Sequence, residues 1–270
     1  MVAVVGVPSD ENSSFMRGAA LAPPRIREAL HSGSANLCAE NGVDLAAESG
    51  WHDLGDLALA GGAGDLEQIE ATIGNLVERG VHVLALGGDH AITYPIIRAY
   101  GPRYENLNIL HLDAHPDLYD ELEGNRYSHA CPFARIMEED LAARLVQVGI
   151  RTMNPHQHTQ ARRFGVEVIE MRDWQPGLVF DFDGPVYLSL DMDVLDPAFA
   201  PGTAHHEPGG LSMRELLGLV QNLRVPIVGA DMVEFNPKRD PVGITAMAAA
   251  KLLKEILVLM LGTGGASEDV

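Results

Sequence analysis

Two cysteines in a chain of 270 residues, Cys38 and Cys131, leave no basis for a disulfide framework. They point to a reducing compartment. Basic residues are scarce too: 19 Lys and Arg stand against 38 Asp and Glu, a formal net charge of −19. Such a surface disfavours nucleic acid and anionic membranes, and it attracts a small cationic ligand. Long apolar runs are missing. The longest near the C-terminus, Ile256 to Leu261, falls far short of the roughly 20 residues that span a bilayer. No charged region precedes the apolar opening run Val2 to Val7, so no secretory leader is expected. These absences lead to the expectation of a cytoplasmic protein with no nucleic-acid or membrane partner.

About half of the chain is apolar, at 46%, which is enough for a sizeable core. Apolar runs that read as buried strands fall at Val2 to Val7, Val81 to Leu86, Leu107 to Leu112, Leu145 to Ile150, Val166 to Ile169, Val186 to Leu190 and Pro226 to Ala230. Between them lie stretches with helical spacing: Pro24 to Leu30, Leu66 to Arg79, Ala91 to Tyr100, Phe133 to Arg144, Pro155 to Phe164, Leu211 to Leu223 and Thr245 to Leu261. Ser212 followed by Glu215 has the spacing of a capping box. Residues 52–64 are Gly-rich and acidic and read as a surface connection; 118–132 read as a long polar loop. Alternating strands and helices imply an α/β protein with a mostly parallel sheet covered on both faces. No linker or repeat divides it, so one domain over 1–262 is expected, with a flexible tail at 263–270.

In such a sheet, ligands bind beyond the carboxyl ends of the strands. The chemically loaded motifs sit there. Asp113-Ala-His-Pro-Asp117 follows the run ending at Leu112, and Pro116, with no N–H to donate, stops the ladder. In extended chain, Asp113, His115 and Asp117 lie on one face. His90 follows Gly87-Gly88-Asp89, and Asp191-Met-Asp193 follows another strand. Together His90, Asp113, His115, Asp117, Asp191 and Asp193 offer two imidazoles, four carboxylates and no thiolate. That set suits Mn²⁺ or a similar divalent ion better than a structural zinc. Six ligands exceed the needs of one tetrahedral ion and suit two ions, which lower the pKa of a water toward neutrality. Asp196-Pro197 and Pro201-Gly202 read as a rigid turn after the third motif.

GGDHAITYP, DAHPD and SLDMDVLDPAFAPG resemble the three signatures of the ureohydrolase family, which includes arginases and agmatinases. GVPSDENSSFMRGAALAPPRIREAL, EGNRYSHA, FARIMEE, EPGGLS and GADMVEFNPKRD resemble the plant-type arginase branch in particular. The resemblance implies a three-layer α/β/α fold with about eight strands and two Mn²⁺ per subunit. His90, Asp113, Asp117 and Asp191 would hold one ion. Asp113, His115, Asp191 and Asp193 would hold the other, with Asp113 and Asp191 bridging. Glu234 matches the family's guanidinium-holding glutamate, and His129 its mobile-loop histidine with a proton-transfer role. Homo-oligomers, trimers or hexamers, are implied as well.

The implied reaction is hydrolysis of a guanidino group to urea and an amine, with a proton reaching the amine through Asp117 or His129. L-Arginine is the expected substrate. Agmatine, or another guanidino or formimino acid, is the alternative. Candidates for holding the far end of the substrate are Tyr119, Asn125, Arg126, Tyr127 and Ser128. Asn154, a further substrate-binding candidate, stands where many animal-type arginases carry an acid. His205 and His206 lie in the loop after Pro201-Gly202, from which they could line the pocket mouth, though a surface role is the favoured reading; His156 and His158 read as surface. Two rival enzyme classes are weaker. Cysteine-dependent guanidine hydrolysis through Cys131 beside His129 would leave the metal ligands without purpose. A metal-dependent deacylase needs fewer ligands. A binding protein that retained only the fold has no need of the intact set plus Glu234 and His129.

Overall fold

Among the described residues, eight strands form one sheet because eight segments can bury side chains on both of their faces or lie at its edges. They are β1 (Val2–Val7), β2 (Trp51–Asp56), β3 (His82–Gly87), β4 (Asn108–Leu112), β5 (Arg144–Ile150), β6 (Glu167–Glu170), β7 (Val186–Asp191) and β8 (Ile227–Val233). The computed structural model describes residues 1–62 and 64–262; the expected tail, 263–270, lies outside them. The strand order is β2-β1-β3-β8-β7-β4-β5-β6, and every pairing within the sheet is parallel.

Alternation explains why the central strands read as unbroken apolar runs. Val2, Val4, Leu84, Leu86, Leu110, Leu112, Leu188 and Leu190 point into one core. Ala3, Val5, Val7, Val83, Ala85, Ile109 and Tyr187 point into the other. With both faces covered, no polar alternation survives. Helices α1 (Ala22–Leu30), α6 (Met213–Gln221) and α7 (Ile244–Met260) cover the first face. Helices α2 (Asp65–Glu78), α3 (Thr93–Tyr100), α4 (Pro132–Glu138) and α5 (Pro155–Phe164) cover the second. Among the described residues, no helix is long and apolar enough to cross a membrane. The Ser212–Glu215 capping box forms as its spacing predicts.

Two expectations are corrected. The surface connection expected at 52–64 contains β2, an edge strand paired only with β1. Its sequence, WHDLGD, carries no apolar run because the strand is largely exposed; Arg27 of α1 binds Asp53 and Asp56 from it. The helix expected over 133–144 ends at Glu138. Asp140 there takes a positive φ of 53°, and Arg144 already belongs to β5.

The sheet also sets where chemistry can gather. β3, β8, β7 and β4 are consecutive neighbours. Leu86 pairs with Met232, Met232 with Leu190, and Leu190 with Leu112. Four strands thus end level, and the loops after them open on one point. At Gly88 the chain passes so close to Ser9 that a Cβ would lie 1.7 Å from its carbonyl oxygen. Only glycine permits that approach, which seats Asp89 and His90 beneath the loop after β1.

Candidate metal centre and active site

Each of three aspartates spends one oxygen on the backbone and turns the other inward. Asp113 Oδ1 accepts from His115 N at 2.6 Å, Asp191 Oδ1 from Asp193 N at 2.7 Å, and Asp193 Oδ1 from Ala114 N at 3.1 Å. The last of these ties the β4 and β7 loops together, and all three fix the orientation of the second oxygens. Asp113 Oδ2 and Asp117 Oδ2 lie 3.1 Å from His90 Nδ1, and Asp191 Oδ2 lies 3.3 Å from it. Asp193 Oδ2 lies 3.0 Å from His115 Nδ1, and Asp113 Oδ1 3.4 Å. All six residues expected to hold metal therefore meet at the ends of β3, β4 and β7. Asp117 sits in the left-handed region at φ 48°, an uncommon conformation for a residue with a side chain.

The tautomer of His90 tests whether an ion belongs here. Ser189 Oγ donates to Asp231 Oδ1 at 2.7 Å, so its oxygen accepts from His90 Nε2 at 3.0 Å. Asp231, fully buried, also receives Thr93 and Tyr187 hydroxyls at 2.8 Å each. The proton of the neutral ring is thereby placed on Nε2. Nδ1 is left as a lone pair, buried, without a hydrogen-bond partner, and facing three carboxylates. Lone pairs facing lone pairs need a cation between them. Without an ion, burial would lower the ring's pKa, but Asp113, Asp117 and Asp191 more than offset this and raise it well above the ordinary histidine value, so a second proton on Nδ1 stands where an ion would otherwise sit. Burial, Asp193 and Asp113 push Asp191 well above the usual carboxylate range. The cluster is short of positive charge, which a metal ion would supply. Two groups, His90–His111–Asp113 and Asp113–His115–Asp193, each bring ligand atoms within 4.8 Å of one another.

His111 was missed in the sequence. Its Nε2 lies 2.8 Å from Asp113 Oδ2, and Gln147 Nε2 donates to its Nδ1 at 3.0 Å. Nε2 therefore carries the proton, and the ring orients Asp113. Burial lowers its pKa, which keeps it neutral. The available signal was an imidazole inside an apolar strand, two residues before Asp113 and so on the same face. Asp89 was missed as well. It is fully buried and accepts from Asn12 N at 3.0 Å, Ser13 Oγ at 3.2 Å and Ala91 N at 3.2 Å. Burial and the neighbouring Glu234 push its pKa up to about 7.

Beside the carboxylates lies a cavity of about 230 Å³. His115, Asp117, Asp191 and Asp193 form its floor, and His129, Glu234, Ser14, Tyr119, Thr152, Gln157 and His205 stand among its walls. Glu234 Oε1 accepts from His90 N at 2.9 Å and from His129 Nδ1 at 2.8 Å. Burial opposes ionisation of Glu234, yet His129 brings its pKa below the usual value. In turn, Glu234 outweighs burial at His129 and lifts that pKa to about 9. Glu234 is held at φ 62°.

The residues expected to hold the substrate's far end are scattered. Tyr119 lines the cavity, but Asn154 caps α5, accepting from Gln157 N at 3.0 Å while its Nδ2 donates to Tyr119 Oη at 2.5 Å. Asn125 lines a separate groove of about 410 Å³ and donates to Asn12 Oδ1 at 3.1 Å. Ser128 is buried, with its hydroxyl toward Ala130 N. Arg126 binds Glu138 at 2.9 Å, and Tyr127 stacks on Tyr94. His205 reaches the cavity, whereas His206 hydrogen-bonds Pro201 O at 2.7 Å. Cys131 is buried, and burial with Asp117 pushes its thiol up to about 12, out of reach of a thiolate role.

The family model described as the arginase family matches residues 1–259. The chain belongs to the arginase family. Arginase 1, mitochondrial, of Arabidopsis thaliana is 48% identical, covering 94% of this chain and 79% of its own length. Arginase 2, chloroplastic/mitochondrial, of the same plant is 46% identical, covering 96% and 80%. The solved arginase from Medicago truncatula superposes with a TM-score of 0.89 at 41% identity, covering 96% of this chain and 87% of that one. Arginase-family relatives of this kind are hydrolases of guanidino carbon–nitrogen bonds. The expected cytoplasmic location is corrected by the same comparisons: both Arabidopsis arginases are named for organelles. A low cysteine count does not distinguish the cytoplasm from an organelle interior.

Proposed function

We propose that this protein hydrolyses L-arginine to L-ornithine and urea with two Mn²⁺ ions. His90, Asp113, Asp117 and Asp191 would hold one, and Asp113, His115, Asp191 and Asp193 the other. The observation that carries this is His90 Nδ1, an unpaired ring nitrogen among three inward-facing carboxylates beside a cavity lined by Glu234. Bound ions would supply Lewis-acid charge and an activated water.

The chain's own groups supply the rest. Glu234 accepts N–H groups of a planar guanidinium in a charge-assisted contact and keeps its carbon over the carboxylate floor. His129, protonated against Glu234, delivers a proton to the departing amine. Asp117, on the floor, is the other group placed to carry one. Similarity to arginases at 46–48% identity favours arginine over agmatine. No lysine or arginine lines the cavity among the described residues, so neutral donors would meet an α-carboxylate. We also propose one catalytic domain over 1–262, supported by the single sheet, and a trimeric or hexameric assembly, supported by the family resemblance.

The Mn²⁺-loaded protein should release urea from L-arginine in preference to agmatine, 4-guanidinobutyrate and guanidine, and no formamide from formiminoglutamate. Preference for agmatine would leave the metal chemistry standing and replace the substrate. No product from any compound, with manganese bound, would defeat the reading.

A further inference from the structure

We propose that Ser14 is a positioning residue for His129, holding its ring in register both before and after proton transfer. This rests on the functional reading above, in which His129 moves the proton. Both ring nitrogens of His129 are engaged: Nδ1 with Glu234 Oε1 at 2.8 Å and Nε2 with Ser14 Oγ at 2.9 Å. Ionised Glu234 can only accept, so Nδ1 carries a proton in either state of the ring. All change of protonation then falls on Nε2. A neutral ring presents a lone pair there, and a cationic ring an N–H. A side-chain hydroxyl satisfies both, because it rotates between donor and acceptor. An amide or carboxylate in its place would favour one state.

The backbone that carries Ser14 is anchored for this purpose. Asp89, buried between β3 and α3, accepts from Asn12 N and Ser13 Oγ. Asn12 O accepts from His129 N at 3.1 Å, and Asn12 Oδ1 from Asn125 Nδ2 at 3.1 Å. The loop after β1 and the loop before α4 are thus clamped on the two sides of one imidazole. Asp10 closes the turn by accepting from Gly18 N at 2.7 Å. Ser14 itself lines the cavity and is an exposed residue, so it offers the Nε2 proton a way in or out.

Ser14→Ala should lower kcat on L-arginine about tenfold, the weight of one hydrogen bond, with KM and bound manganese within about twofold of wild type. Ser14→Thr, which keeps the hydroxyl, should recover most of the loss. In a His129→Asn background, Ser14→Ala should have no further effect. Labelling the histidines with ¹⁵N gives a readout independent of turnover: the His129 Nε2 resonance should move in Ser14→Ala and return in Ser14→Thr. An unchanged kcat in Ser14→Ala, or an equal loss in the His129→Asn background, overturns the proposal. If wild type turns over no guanidino compound, the functional reading has failed separately. The Nε2 resonance then decides: unmoved in Ser14→Ala, it overturns the proposed contact.

Discussion

Glu234 and Asp117 both occupy the left-handed backbone region, at φ 62° and 48°. A residue with a side chain is held there at a cost of about 1–3 kcal/mol, and the surroundings must enforce it. At Glu234 the enforcement is visible: its N donates to Gly88 O at 2.9 Å while Oε1 is fixed by His90 N and His129. Glu234→Gln preserves shape and one acceptor but removes the charge that matches a guanidinium. It should lower kcat/KM for arginine about a hundredfold, the loss of one charge-assisted contact of about 1.5–3 kcal/mol, with the melting temperature near wild type. Asp117→Ala and Asp193→Ala should abolish turnover with little change in circular dichroism. Near-full activity of either alanine variant with added Mn²⁺ would sink the binuclear site.

Elements act here through their order in the sheet. β3, β8, β7 and β4 are neighbours in space but not in sequence, and their level ends bring Asp89, Glu234, Asp191 and Asp113 together. Away from the site, one carboxylate ties a long connection to two helices. Glu40, between α1 and β2, binds Arg214 and Gln221 of α6 and Lys251 of α7. Its hydrogen bond to Arg214, first among these contacts, brings its pKa down to about 2 from 4.5. A carboxylate with a lowered folded pKa stabilises the fold above the unfolded value and loses that contribution as pH falls. Glu40→Gln should therefore melt below wild type at pH 6, and the gap should close between pH 4.5 and 2. A gap constant across that range would refute the assignment.

Across the whole molecule, two apolar cores brace a sheet whose open end gathers like charges. Four aspartates converge in a chain that already carries a net charge of −19, so the ion-free site works against folding. A ligand that binds only the folded state adds about 4 kcal/mol at a thousandfold excess over its dissociation constant, or roughly 8 °C in a domain of this size. Chelation should lower the melting temperature by about that much, and Mn²⁺ should restore it. Asp193→Asn keeps the acceptor for Ala114 N and removes one inward charge, so chelation should cost it less. An equal loss in both proteins would show that charge at the site does not limit stability.

Much of this was legible in one dimension. Strands buried on both faces show as apolar runs, and the motif after each one marks a carboxyl end where ligands gather. His90, Asp113, His115, Asp117, Asp191 and Asp193 could therefore be named without knowing the strand order. β2 could not, because an exposed edge strand has no periodicity to display. Nor could Asp89 and Ser14, whose partners lie up to 115 residues away in the chain and depend on which loop passes over which strand. Local pattern reports what a residue buries. Only the packed sheet decides which buried groups face one another, which tautomer each imidazole keeps, and that His90 Nδ1 is left with a lone pair for an ion.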